Sequence, residues 1–203
     1  MNKKYELTNE TIKTNDGHTL HRIKALKDFD DVNKGDLGGF IESEDNLSQK
    51  GNCWVYNNAR VYENARIFGN AHVYGHAHVY GNARIFGNAR VSGNAKVCVD
   101  TQVYGNARVS ENAKICGNAK VTSMDDYSTI SNFGTQYRTT TFFRCEDNKI
   151  RVSCGCFYGT IPEFRNQVKD TRKGKIAEEY LLIADLMEKH FNISAENVES
   201  EDR

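Results

Sequence analysis

The chain has 203 residues, 38% of them hydrophobic, with 27 Lys or Arg against 27 Asp or Glu and six cysteines. No apolar run approaches the ~18 residues of a membrane span, which excludes a spanning helix. Met1–Glu6 lacks an apolar signal region and the cysteines lack framework spacing, so the expected setting is a reducing cytoplasm.

Four segments are expected: an N-terminal β cap with irregular first coils over 1–50, a hexapeptide-repeat body over 51–122, a ββαα domain over 123–192 and a flexible tail over 193–203. Residues 3–26 read as a β-hairpin around the turn signal Asn15-Asp16-Gly17. Residues 28–38 read as a loop. Ile41 and Leu47 fall in register with the alanines that follow, so irregular coils begin before Cys53. The plain role for this segment is to plug an open sheet end against edge-to-edge pairing.

From Val55 to Val121 an aliphatic residue returns every sixth position without a slip, at Val55, Val61, Ile67, Val73, Val79, Ile85, Val91, Val97, Val103, Val109, Ile115 and Val121. Four residues after each comes Ala, with Thr101 the one internal exception, and Gly-Asn often precedes it. A six-residue period suits neither a helix nor a long flat strand, but it suits short strands joined by tight corners. Alternation turns the aliphatic inward and its neighbours outward. Gly and Asn tolerate the positive φ of a corner. Three corners close a coil of eighteen residues, so twelve hexads stack as four regular coils ~4.8 Å apart. The architecture is mainly β, a parallel β-helix with a small α+β C-terminal segment.

Beyond the hexads, Thr139–Cys145 and Lys149–Cys154 predict a hairpin about Glu146-Asp147-Asn148. Thr160-Ile161-Pro162-Glu163 is a capping box opening a helix to about Asp170. A second helix, about 175–191, places Ile176, Tyr180, Ile183, Ala184, Met187 and Phe191 on one face.

The hexads resemble the hexapeptide-repeat proteins whose parallel β-helix is left-handed, and the hand is implied by that resemblance alone. Asp36–Ile41 and Leu47–Tyr56 resemble the lead-in of uncharacterised bacterial members, labelled transferases on fold. The order of lead-in, GNA-type hexads and a tail with Cys154-Gly155-Cys156-Phe157 and Gly159–Phe164 resembles uncharacterised proteins carried by bacteriophages. Many family members are acyltransferases, in which a His at a subunit junction acts as general base. The resemblance would give that role to His72, His76 or His78. Against it, no loop leaves the hexads to wall an acyl-donor site, and Asn, Arg and His interchange easily at exposed repeat positions.

The repeat block carries eight Lys or Arg against Glu63, Asp100 and Glu111, a basic body suited to anionic partners. With residues eighteen apart as neighbours, its outer positions form aromatic and basic ladders. Their expected role is ligand or partner binding by Tyr56, Tyr62, Tyr74, Tyr80, Arg60, Arg66, Arg84, Arg90, His72 and His78, with rings stacking on bases and cations meeting phosphates. Exposed aromatic ladders also suit a homo-oligomer, and the hexapeptide-repeat resemblance implies a trimer more readily than a dimer. Cys98 and Cys116 lie one coil apart, a spacing that permits a disulfide, though a cytoplasmic setting predicts free thiols. Cys145, Cys154, Cys156 and His190 lack the spacing of common zinc sites and are read as ordinary side chains. No metal, cofactor or membrane partner is expected. The favoured function is a non-catalytic binding protein acting on a host protein or nucleotide-like ligand, with anti-defence action implied by the phage resemblance. A CoA-dependent acyltransferase is the first alternative and a structural spacer the second.

Overall fold

A computed structural model describes residues 3–200, with side chains through Phe191. It divides into two compact units, one ending at Ser123 and one beginning at Met124. The first is a parallel β-solenoid of about five turns.

Three longer strands lead the chain, β1 (Tyr5–Lys13), β2 (Thr19–Ala25) and β3 (Leu37–Ile41). Twelve two-residue strands follow, from β4 (Trp54–Val55) to β15 (Lys120–Val121). Each of the twelve holds one outward residue and one inward aliphatic, and all twelve aliphatics are at most 1% exposed. Burying each contributes ~1.5–3 kcal/mol, and only the next coil provides the cover. Partners sit eighteen residues apart, as in Arg60↔His78 and Val61↔Val79, so the strands sort into three parallel faces. Face one is β4-β7-β10-β13, face two β5-β8-β11-β14 and face three β6-β9-β12-β15.

One residue per corner takes positive φ, normally the Gly, as at Gly87 (φ 67°). The Asn does something else: its side-chain amide bonds to the Asn or Asp of the next coil, as in Asn64 to Asn82 (3.2 Å) and Asn82 to Asp100 (2.8 Å). The corner edges are therefore laced by amide ladders, a role beyond the φ tolerance that the motif suggests. Thr101, in the alanine slot, donates its hydroxyl to the Cys98 carbonyl at 2.7 Å, which lets a polar residue sit fully buried.

The N-terminal cap is not a separate layer. β1 and β2 form the expected antiparallel hairpin, β2 pairs with β3, and β3 pairs in parallel with β5, so the hairpin extends the sheet of face two. Ile41 pairs with Val61 and Leu47 with Ile67. Both therefore belong to the aliphatic row rather than the alanine row, because the first coil holds two residues more than eighteen. Tyr5 Oη donates to the Leu47 carbonyl at 2.6 Å and Lys4 Nζ to that of Cys53 at 2.8 Å. Burial lowers the Lys4 ammonium below its ordinary value.

The second unit is an antiparallel sheet of β16 (Tyr127–Phe133), β17 (Arg138–Arg144), β18 (Ile150–Cys154) and β19 (Phe157–Thr160), packed by α1 (Ile161–Thr171) and α2 (Gly174–Ser200). The expected β17–β18 hairpin is present. Two strands were not expected: Tyr127–Phe133 is half-buried without alternation, and Phe157–Thr160 is short and holds Gly159. Thr160 caps α1, its hydroxyl accepting from Glu163 N while the Glu163 carboxylate accepts from Thr160 N. The face of α2 read from sequence, from Tyr180 to Phe191, packs on Phe142, Val152 and Phe164. The expected tail is helical backbone as far as Ser200, because α2 continues beyond the apolar stripe that suggested its end; residues 201–203 lie outside the described residues.

Candidate functional site

The solenoid deals the ten expected binding residues onto different faces. Tyr56, His72, Tyr74 and Arg90 belong to face one, Arg60, Tyr62, His78 and Tyr80 to face two, Arg66 and Arg84 to face three. They cannot act as one surface. Rings one coil apart stack on one another, Tyr56 on Tyr74 at 4.6 Å and Tyr62 on Tyr80 at 5.1 Å between centroids. One face of each ring is thus taken by its neighbour, which leaves less ring surface for the base-stacking role.

The loop from Asp28 shuts much of face one. Burial, together with the hydrogen bond that its Oη donates to Asp31, raises the Tyr56 phenol well above the usual range. His72 is 6% exposed. Its Nδ1 lies 2.7 Å from Tyr74 Oη, and its Nε2 lies 3.1 Å from the Asn52 carbonyl and 3.3 Å from Asp30. Both ring nitrogens are engaged, which rules out the accessible general base that the resemblance offered. His76 stands exposed at the corner between faces one and two.

Face two keeps its ladder open on one flank and walls it on the other. Leu20 of β2 and Phe40 of β3 pack with Tyr62, Ile12 and Tyr80 join them, and Tyr62 is left 5% exposed. Burial, with Tyr80 and Asp16 nearby, pushes its phenol up to about 12. The β1–β2 turn is clasped onto the solenoid. His18 Nδ1 lies 2.8 Å from Glu42 Oε1, Glu42 Oε2 accepts from Glu63 N at 2.7 Å, and Glu63 Oε2 accepts from Gly81 N at 2.7 Å. The hydrogen bond to Glu42 raises the His18 imidazole above its ordinary value. Desolvation pushes Glu42 up, but His18 and Glu63 N–H outweigh it and hold the carboxyl below its ordinary value.

Between this turn and the ladder lies a cleft of about 200 Å³, bounded by Thr14 and Asp16 on the hairpin and by Arg60, His78, Tyr80 and Lys96 on the coils. His78 is half-buried, and burial first, then Arg60 and Lys96, depresses its proton affinity, with Asp16 opposing weakly. Its imidazole is therefore neutral at neutral pH. The cleft thus holds two cations, one carboxylate and a hydrogen-bonding ring that can donate or accept.

Sequence reasoning named Arg60, Tyr62, His78 and Tyr80 but missed Asp16, His18, Glu42, Glu63 and Lys96 as members of this site. One signal was present. The corner slot that normally holds Gly holds Glu63 at φ 56°, a conformation disfavoured outside Gly, and such departures gather where side chains have work. Asp16, His18 and Glu63 bring three ligand atoms within 4.8 Å of one another and are the group among the described residues that could hold a metal. Cys145, Cys154, Cys156 and His190 do not converge in that way. Cys145 is buried, Cys156 exposed, and Cys154 accepts from Thr140. Cys98 and Cys116 form a disulfide rather than free thiols, because coil stacking brings their Cα atoms to 4.8 Å with both side chains buried.

On face three Phe68, Phe86 and Tyr104 stack at 4.9 and 4.7 Å, and the Arg84 guanidinium lies 5.5 and 5.7 Å from the first two ring centroids. These rings are half-buried while Arg66 and Arg84 are exposed.

Fold and site together define a repeat β-solenoid with a ligand-sized cleft on one face. The sequence profile described as the YdcK beta solenoid repeat matches residues 77–93, 83–98 and 102–117. The chain is also similar to an Escherichia coli (strain K12) protein named "Uncharacterized acetyltransferase YdcK", 50% identical over 38 residues, 19% of this chain and 12% of that protein. No helix among the described residues is long and apolar enough to cross a membrane.

Proposed function

We propose that the protein is a binding solenoid whose cleft on face two holds a small phosphorylated ligand. Arg60 and Lys96 meet the phosphate, neutral His78 donates a further hydrogen bond, and Asp16 on the hairpin accepts from a ligand hydroxyl. The observation that carries this reading is the convergence of Arg60, Lys96 and half-buried His78 opposite Asp16 in one cleft. Its ~200 Å³ is below the roughly 300–1,000 Å³ of drug-sized sites, so the ligand is of sugar-phosphate or mononucleotide size. Phage origin and a host defence target find no support in the fold or the matches, and the function is read from the cleft alone.

A second reading is acyl transfer with His78 as general base. Two observations favour it: the depressed proton affinity of His78, and a hairpin that walls the cleft although the hexads send out no loop. The printed name of the E. coli protein agrees in kind. A thermal-shift series separates the readings. Binding predicts stabilisation by glucose 6-phosphate or AMP, lost in Arg60→Ala and Lys96→Ala, with no turnover of acetyl-CoA. Turnover abolished in His78→Asn would establish the transferase, and no shift with any phosphorylated ligand would refute the binding reading.

A further inference from the structure

We propose a second ligand site in the C-terminal unit, a pocket for a small aromatic acid between the β16–β17 turn, the β18–β19 turn and the two helices. The pocket has a volume of about 220 Å³. Two guanidiniums, Arg138 at the start of β17 and Arg172 at the end of α1, line it, and no carboxylate does. Among the described residues neither forms an ion pair; Arg172 Nη1 donates only to the Thr171 carbonyl at 3.2 Å. Both guanidiniums are exposed to solvent, and without a carboxylate beside them the cavity mouth is a positive site open to an anion.

The rest of the lining combines aromatic rings with the polar side chains of Thr135, Gln136, Gln167 and Thr171. Phe157, Phe164 and Tyr180 contribute rings, with Phe157–Phe164 centroids at 5.4 Å and Phe164–Tyr180 at 5.9 Å. Tyr180 is held in place by its hydroxyl, which donates to the Phe133 carbonyl at 3.1 Å. Burial raises that phenol while Arg172 and Arg138 pull the other way, which puts both positive charges within electrostatic reach of the ring. Gly134 and Gly155 leave the space that Tyr180 and Arg138 fill, and both have positive φ. An acid group between the guanidiniums with its ring on Phe157 and Phe164 satisfies charge and shape together. Below the roughly 300 Å³ of drug-sized sites, the cavity suits a single-ring acid.

Calorimetric titration of the full chain with phenyl phosphate, benzoate, inorganic phosphate and benzyl alcohol tests the site. One or both aryl acids should bind at least tenfold more tightly than phosphate or benzyl alcohol, and their ratio tells carboxylate from phosphate. Arg138→Ala and Arg172→Gln should each weaken the aryl acid tenfold or more at unchanged melting temperature, while Arg108→Ala on the solenoid leaves it untouched. Bound ligand should also slow alkylation of Cys156, the exposed thiol in the lining, a readout in the unmutated protein. Equal binding of benzyl alcohol and benzoate, unaltered affinity in the folded arginine variants, or unprotected Cys156 at saturation would overturn the proposal.

Discussion

Faces two and three are written in the same hexad, yet they meet different fates. Both carry a stacked aromatic ladder flanked by cations. On face two a hairpin from far earlier in the chain packs Leu20 against Tyr62 and leaves it 5% exposed; on face three Phe68 and Phe86 remain half-buried under Arg84. The contrast teaches that the repeat supplies a scaffold and non-repeat segments supply the site. Cover also changes chemistry: half-buried His78 is kept neutral by desolvation and nearby cations, whereas the cations of face three stay solvated.

Removing the cover should cost most. Leu20→Ala, at a fully buried position, should destabilise by about 2–5 kcal/mol. Phe68→Ala at the end of the face-three ladder, which removes one stacked pair and a half-buried ring, should cost less, about 1–2 kcal/mol. Chemical denaturation of both variants measures the gap, and equal losses would erase the distinction between the faces.

The corner slot gives the next effect, of opposite sign. Val99 takes φ 61° where the repeat normally has Gly, and a β-branched residue is strained there. Val99→Gly should therefore raise stability by about 1 kcal/mol, the left-handed penalty of roughly 1–2 kcal/mol less the backbone entropy that Gly loses. A lower melting temperature would show the corner to be relaxed.

The clasp on the turn adds a pH dependence peculiar to face two. His18 is raised, so its contribution is complete below its unfolded value of ~6.5 and fades as pH climbs through the folded one. Glu42 is lowered, so its contribution is complete above ~4.3 and fades as pH falls through the folded one. Amide exchange protection of β1 and β2 should thus be greatest between those values. His18→Gln should remove the decline on the alkaline side, while amides of face three keep their profile.

The smallest effect is Arg84→Ala, at most about 1 kcal/mol for an exposed cation over rings. Alkylation of the denatured chain with mass analysis gives a separate check: four cysteines should react without reductant, since Cys98 and Cys116 are joined. Six would favour free thiols.

Much of the first unit was legible because its signal repeats. A valine every sixth residue has one geometric solution, and each corner restates it. The hairpin over face two was not legible, since Leu20 meets Tyr62 across some forty residues of loop and irregular coil that carry no period. Glu63 entered the sequence reading only in the charge balance of the repeat block, although a non-Gly residue in the Gly slot was visible in the sequence. The Cys98–Cys116 bond was visible as a spacing and set aside on a presumed compartment, although buried neighbours at 4.8 Å need no such premise. In the second unit the capping box was readable because it is local. β16 and β19 owe their strand form to the hairpin between them, whose edges they pair.

The claim that the hairpin makes a phosphate-binding cleft of one repeat face is tested most directly by an NMR pH titration of the His78 imidazole, alone and with saturating glucose 6-phosphate. The account predicts titration below the ordinary imidazole value in the free protein and an upward shift when the phosphate binds. An ordinary or raised value in the free protein, unmoved by the phosphate, would contradict it.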